Sequence, residues 1–177
     1  FYLAFKSLEP TGKRLLYGVD VSGSMGSPCG TLPISCAEGA AAMALACAKT
    51  EQDYYVMGFA GTFRDLGVSA KMTLNEALRR TTNQNFGRTD CAVPMLWAIA
   101  NRVKPDAFIV ITDNETWAGG IHPSQALRKY REWSGLPAKQ VVIGMTATPF
   151  SIADPKDPST LDVVGFSADV PQAVQAF

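Results

Sequence analysis

Histidine is almost missing: His122 is the only one among 177 residues. A Ser-His-Asp device would need Ser22 or Ser24 to meet that imidazole by coincidence of folding, which nothing in the sequence supports. A helix start just before Pro123 explains His122 better. Charge of one sign is not in excess either. Lys plus Arg and Asp plus Glu each number 16, so the formal net charge is zero. That argues against a dedicated nucleic-acid-binding face but leaves room for a local basic patch. The cysteines, Cys29, Cys36, Cys47 and Cys91, include no C-x-x-C pair. Cys47 sits in an Ala-rich helical run and reads as a small buried hydrophobe. Cys29 and Cys36 flank a loop and could be bridged in an oxidising compartment. No signal peptide is recognisable, so reduced thiols and a cytoplasmic location are expected. Long apolar runs are lacking too. The longest, Ala37 to Ala48, is too short and too Ala-rich to span a bilayer, and no membrane partner is expected. A P-loop is excluded because no Gly-Lys-Ser/Thr occurs, and no internal repeat is visible.

What is present is an ordinary globular composition, 47% hydrophobic and 18% charged, in a chain of single-domain size. Phe1 begins in mid-pattern, as expected of a piece of a longer protein. Strands are predicted over Leu15–Val21, Asp53–Ala60, Ala107–Thr112, Lys139–Met145 and Leu161–Phe166, with a short edge strand within Thr62–Ser69. Ser35-x-x-Glu38 and Thr73-x-x-Glu76 have capping-box spacing and open the first two helices. A third carries Val93 to Val103, a fourth runs from Pro123 to about Trp133, and the last spans Pro171–Phe177. Strands alternating with helices predict an α/β fold of Rossmann-like type: a mostly parallel sheet with helices on both faces.

The most informative stretch is Leu15 to Met25, Leu-Leu-Tyr-Gly-Val-Asp-Val-Ser-Gly-Ser-Met. An apolar strand ends at Asp20, and Ser22 and Ser24 follow at alternate positions, a hard-oxygen set of the kind Mg²⁺ prefers. Alone the triplet is weak, since an Asx-type turn in a solvated loop reads the same way. In a parallel sheet, however, ligands gather outside the carboxyl ends of the strands, where the chain order reverses. Asp113 ends a second buried strand, and Thr89 lies in a loop able to reach the same rim. Asp20, Ser22, Ser24, Thr89 and Asp113 then offer two carboxylates and three hydroxyls, which suits Mg²⁺ or Mn²⁺ better than a structural Zn²⁺. Asp90 reads as a helix cap, and Glu115 as an exposed residue near the rim. The Arg128, Lys129, Arg131 cluster reads as a solvated helix face, with RNA phosphate contact the sharper alternative.

Asp-x-Ser-x-Ser, a later Thr-Asp and Ile-Thr-Asp at a strand end resemble the metal-ion-dependent adhesion site (MIDAS) of von Willebrand factor A domains. The resemblance implies that Ser22, Ser24 and Thr89 hold the metal directly. Asp20 and Asp113 would act directly or through water, and a partner's carboxylate would fill the open position. Glu9-Pro-Thr-Gly-Lys-Arg14, the run from Thr112 to Pro123 and Ile152-Ala-Asp-Pro155 narrow the resemblance to the A-type domain of the Ro autoantigen (TROVE) proteins, over residues 1–177. That likeness implies a longer protein whose helical-repeat ring binds small noncoding Y RNAs and misfolded RNA, with no RNA contact assigned to any residue here. The expectation is a non-enzymatic module that binds an acidic protein ligand through a divalent cation, Mg²⁺ first, with Mn²⁺ or Ca²⁺ as alternatives. Two other readings stay open: a metal-dependent phosphate-ester hydrolase, and a structural, ring-closing domain with a vestigial site. A haloacid-dehalogenase-like nucleophile is disfavoured because the second Asp of that motif is here Ser22.

Overall fold

In the computed structural model, residues 8–60, 63–82, 89–113, 118–146, 151–167 and 169–177 are described. Within them lie β1 (Leu15–Asp20), α1 (Cys36–Thr50), β2 (Tyr54–Phe59), β3 (Phe63–Asp65), α2 (Leu74–Thr81), α3 (Val93–Ala100), β4 (Ala107–Thr112), α4 (Pro123–Ser134), β5 (Lys139–Gly144), β6 (Thr160–Val164) and α5 (Val170–Ala176). The predicted α/β class is the observed one. The strands form one sheet in the order β3-β2-β1-β4-β5-β6. All neighbours run parallel except the short edge strand β3, which pairs antiparallel with β2.

Side-chain alternation assigns the two faces. Leu15, Tyr17 and Val19 of β1, with Ile109, Ile111, Val141 and Ile143, meet α1 in one core. Leu16, Phe108 and Tyr130 belong to a second core on the side of α3 and α4. Helix α1 is buried except at Glu38, Lys49 and Thr50, because its Ala and Cys side chains let it lie flat on the sheet and against α2. Gly18 does the same for α3. A Cβ there would stand 2.8 Å from the Pro94 ring, so glycine sets the close approach of helix and strand.

Local chemistry stops each element. The capping boxes at Ser35/Glu38 and Thr73/Glu76 are formed with both reciprocal bonds. His122 is the N-cap of α4, its Nδ1 accepting from Ser124 N at 3.2 Å, so the sole imidazole serves a helix start as expected. Helix α3 ends at Ala100, three residues short of the predicted Val103, because Arg102 takes a left-handed φ of 56°. β6 stops at Val164, two short of Phe166, where Gly165 turns the chain with φ 84°. The predicted polar loop 83–88, Thr62 and Glu115 lie outside the described residues.

Candidate metal centre

Order in the sheet reverses between β1 and β4: the chain leaves β1 for β2 on one side, then returns to place β4 on the other. The crevice at the carboxyl ends of these two strands is the fold's natural ligand site. Asp20 is the last residue of β1, and Asp113 follows the last residue of β4.

Asp20 is buried, with 1% of its surface exposed. Its Oδ1 accepts from Ser22 N at 2.8 Å and its Oδ2 from the Thr112 hydroxyl at 2.7 Å. The first bond is the Asx-type turn of the blander reading, but the carboxylate it holds is not solvated. Burial pushes the Asp20 carboxyl above its usual range, bonds from Thr112 and Ser22 oppose that, and the nearby Asp113 charge adds to it. From Ser22 the chain enters a 3-10 turn, Gly23–Gly26. That turn brings Ser24 back over Ser22, so that the two hydroxyls sit 3.0 Å apart and Ser24 Oγ donates to Asp113 Oδ1 at 3.1 Å. Met25 plugs the turn into the core at 1% exposure. Thr146 fixes the backbone of Asp113 by donating to its carbonyl at 2.7 Å.

Four of the five expected residues are thus joined in one hydrogen-bonded cluster. Thr89 is half-buried, and no hydrogen bond among the described residues ties it to the other four. Its neighbour Asp90 shows where that loop sits. Asp90 Oδ1 accepts from Ala92 N at 3.0 Å ahead of α3, and a Cβ on Gly119 would run into the same carboxylate. The formal N-cap of α3 is Ala92, without a side-chain cap bond. Asp90 therefore holds the turn before the helix rather than capping it, because two residues intervene. The turn bearing Thr89 and Asp90 packs, through Asp90, against Gly119.

This donor set fits a hard divalent cation. Two carboxylates and the hydroxyls of Ser22 and Ser24 converge, and among the described residues the ion pairs are Arg14–Asp106, Arg128–Asp154 and Arg131–Asp157, none of which gives Asp20 or Asp113 a basic partner. A carboxylate this buried calls for a positive charge, from a side chain or a metal. No group of three or more His, Cys, Asp or Glu able to hold a metal occurs among the described residues, so any metal here depends on hydroxyl ligands. Thr112, which orients Asp20, escaped the sequence reading because a strand-end threonine looks like any β-branched core residue. The basic cluster on α4 is also partly spent. Arg131 is bound to Asp157 and donates to the Ala138 carbonyl, and Arg128 lies 3.4 Å from Asp154.

Comparison with known proteins bears on the family and the fold. The family model for the Ro60 vWA domain matches residues 14–177. The chain is 47% identical over 179 residues to the RNA-binding protein RO60 of Deinococcus radiodurans, covering 100% of this chain and 34% of that protein. It is 44% identical over 178 residues to the RNA-binding protein RO60 of Caenorhabditis elegans, covering 100% of this chain and 28% of that one. The crystal structure of the D. radiodurans Ro protein superposes with a TM-score of 0.90 at 46% identity, over 98% of this chain and 36% of that one. BatB of Bacteroides thetaiotaomicron, 17% identical over 93% of this chain and 96% of its own, shares the fold at a TM-score of 0.61. The chain spans about a third of the length of its RO60 relatives. It belongs to the Ro60 von Willebrand factor A domain family.

Proposed function

We propose that this domain is a non-catalytic module that binds an acidic group of a protein partner through a divalent cation, Mg²⁺ first, with Mn²⁺ or Ca²⁺ as alternatives. The observation that carries this reading is the Asp20 carboxylate, almost fully buried at the sheet's switch point beside Asp113, with hydroxyls around it and, among the described residues, no basic side chain paired to it. Ser22, Ser24 and Thr89 would supply neutral oxygens, and Asp20 and Asp113 the charge. Two carboxylates balance a divalent ion and leave it able to accept an anionic group from outside. Calorimetric titration of Mg²⁺ and Mn²⁺ into the wild type and Asp20→Ala tests the site. Binding is expected in the wild type and lost in the variant; equal binding in both, or none in either, removes the proposal. A free acidic peptide should bind only when metal is present.

The domain would serve within a longer, cytoplasmic Ro-type ribonucleoprotein. Its relatives are named RNA-binding proteins, and noncoding Y RNA and misfolded RNA would be engaged by a helical-repeat ring lying outside this chain. A zero net charge supports that division of labour. Asp20→Ala should therefore leave RNA binding by the whole protein unchanged. His122 is committed to capping α4, and no other imidazole is available as a general base. Sustained metal-dependent hydrolysis of a phosphate ester, lost in Asp113→Ala, would instead make the module an enzyme. Unchanged partner assembly and RNA retention in Ser22→Ala/Ser24→Ala would make it a structural element with a vestigial site.

A further inference from the structure

We propose that Cys29 and Cys36 form a dithiol beneath the loop beside the candidate metal centre, and that a hydroperoxide converts it to a disulfide within the domain. The inference does not depend on a metal being bound. Its basis is a small antiparallel clamp. Pro28 and Ser35 form an isolated bridge, Cys29 N donates to the Ile34 carbonyl at 2.9 Å, and Cys36 N donates to the Ser27 carbonyl at 3.0 Å. In that register the two cysteines sit diagonally across the bridge and on the same side of the pleat, a position from which side chains reach one another.

Both are buried and free, at 2% and 0% exposure. They lie close enough for each to alter the other's ionisation. What holds them otherwise is weak: Cys29 Sγ lies 3.6 Å from the Met145 carbonyl and Cys36 Sγ 3.8 Å from the Pro28 carbonyl. The covering loop faces solvent, with Gly26, Ser27, Pro28, Gly30, Thr31 and Pro33 exposed. No rival thiol is near. Cys47 faces Tyr17 and Glu51 on α1, and Cys91 packs in the cluster of Phe59 and Val110.

The order of attack follows from the surroundings. Burial raises both thiols, Cys36 to about 12, while contact with Cys36 partly offsets the rise at Cys29. Cys29 sits between the exposed Pro28 and Gly30, whereas Cys36 is followed by the buried Ala37 of α1, so Cys29 is the attacking sulfur. Its thiolate takes the terminal oxygen of the hydroperoxide, the O–O bond breaks, and the alcohol (or water, from hydrogen peroxide) leaves. Cys36 sulfur then displaces hydroxide from the resulting sulfenic acid, and its proton departs with that hydroxide as water. Two thiols and one hydroperoxide give one disulfide, one alcohol and one water. Burial makes the first step slow compared with an exposed thiol. The disulfide would take the Cys29 donor from the Met145 carbonyl. Met145 N is itself bonded to the Thr112 carbonyl at 2.8 Å, so the change lands beside the threonine that orients Asp20.

Tryptic mapping of the full-length protein tests this directly. No Lys or Arg occurs between Leu15 and Lys49, so one peptide carries Cys29, Cys36 and Cys47. Reduced protein quenched with iodoacetamide should show three alkylated cysteines in that peptide. After hydrogen peroxide in molar excess it should show one, on Cys47, and a mass lower by two hydrogens from the internal cross-link. Cys29→Ser should leave Cys36 alkylated, and peroxide should raise the domain's Tm by a few degrees in the wild type but not in that variant, since the cross-link shortens the free loop. Three alkylated cysteines persisting after both peroxide and an overnight oxidised-glutathione buffer would overturn the proposal. So would a cross-link through Cys47 or to another chain.

Discussion

At the scale of single residues, the candidate centre is governed by groups that are not themselves ligands. Gly119 has no room for a Cβ because the Asp90 carboxylate occupies that space. Gly119→Ala should push the Thr89–Asp90 turn away from the Asp113 segment, so calorimetry should show metal affinity falling roughly tenfold, about 1.4 kcal/mol, while far-ultraviolet circular dichroism stays unchanged. Gln140 makes a second case. It is wholly buried, and neither its amide nitrogen nor its amide oxygen has a hydrogen-bond partner. An unpaired buried amide costs on the order of 1–3 kcal/mol, so Gln140→Met, of similar volume, should stabilise the domain by about 1 kcal/mol in urea unfolding. Asp20, Ser22, Ser24 and Asp113 were legible because their spacing relative to strand ends carries the chemistry. Thr112, Gly119 and the ion pair from Arg131 to Asp157 were not, since their roles depend on partners 92, 29 and 26 residues away.

At the scale of elements, capping chemistry and apolar runs were enough to find the six strands and five α-helices among the described residues, though not the 3-10 turn Gly23–Gly26. Both boxes formed, and the apolar runs of β1, β2, β4 and β5 became the four interior strands. What the sequence misplaced was where elements stop: the left-handed residue after α3 is Arg102, a residue type with no preference for that conformation. Strand order, β3-β2-β1-β4-β5-β6, has no local signal and was not legible at all. The closeness of α3 to β1 rests on one missing methyl group. In Gly18→Ala the new Cβ would meet the Pro94 ring at 2.8 Å and the Phe59 ring at 3.5 Å. Neither ring can swing aside as a flexible chain end would, so the substitution should cost about 1–3 kcal/mol, read as a lower Tm.

For the molecule as a whole, Arg14 and Asp106 tie the start of β1 to the start of β4. Arg14 donates to Asp106 from its backbone N at 2.9 Å, from Nε at 3.0 Å and from Nη2 at 2.7 Å. Those bonds hold the Asp106 carboxyl below its ordinary value. A carboxyl depressed in the folded state adds stability that is complete above its unfolded pKa of about 3.9 and is lost as pH falls through the lower folded value. The wild type should therefore lose stability more steeply below about pH 4 than Asp106→Asn does. At neutral pH the variant should be weaker by about 1 kcal/mol, a figure reduced for the partial exposure of both side chains. Urea midpoints across that pH range check both statements.

Leu8 and Phe177 line one cavity of about 530 Å³ with Leu15, Ala107 and Lys139, the first residues of β1, β4 and β5. The Gln175 side chain donates to the Glu9 carbonyl at the same pole. Asp20 and Asp113 stand at the other end of these six-residue strands, roughly 20 Å away. A unit wired in this way behaves as a cassette. Joining residue 177 to residue 8 through a short linker and reopening the chain at the exposed Gly30 would give a circular permutant with the same sheet. Splicing residues 8 and 177 of the unpermuted chain into a surface loop of an unrelated carrier would display the candidate metal rim outward, away from the joints.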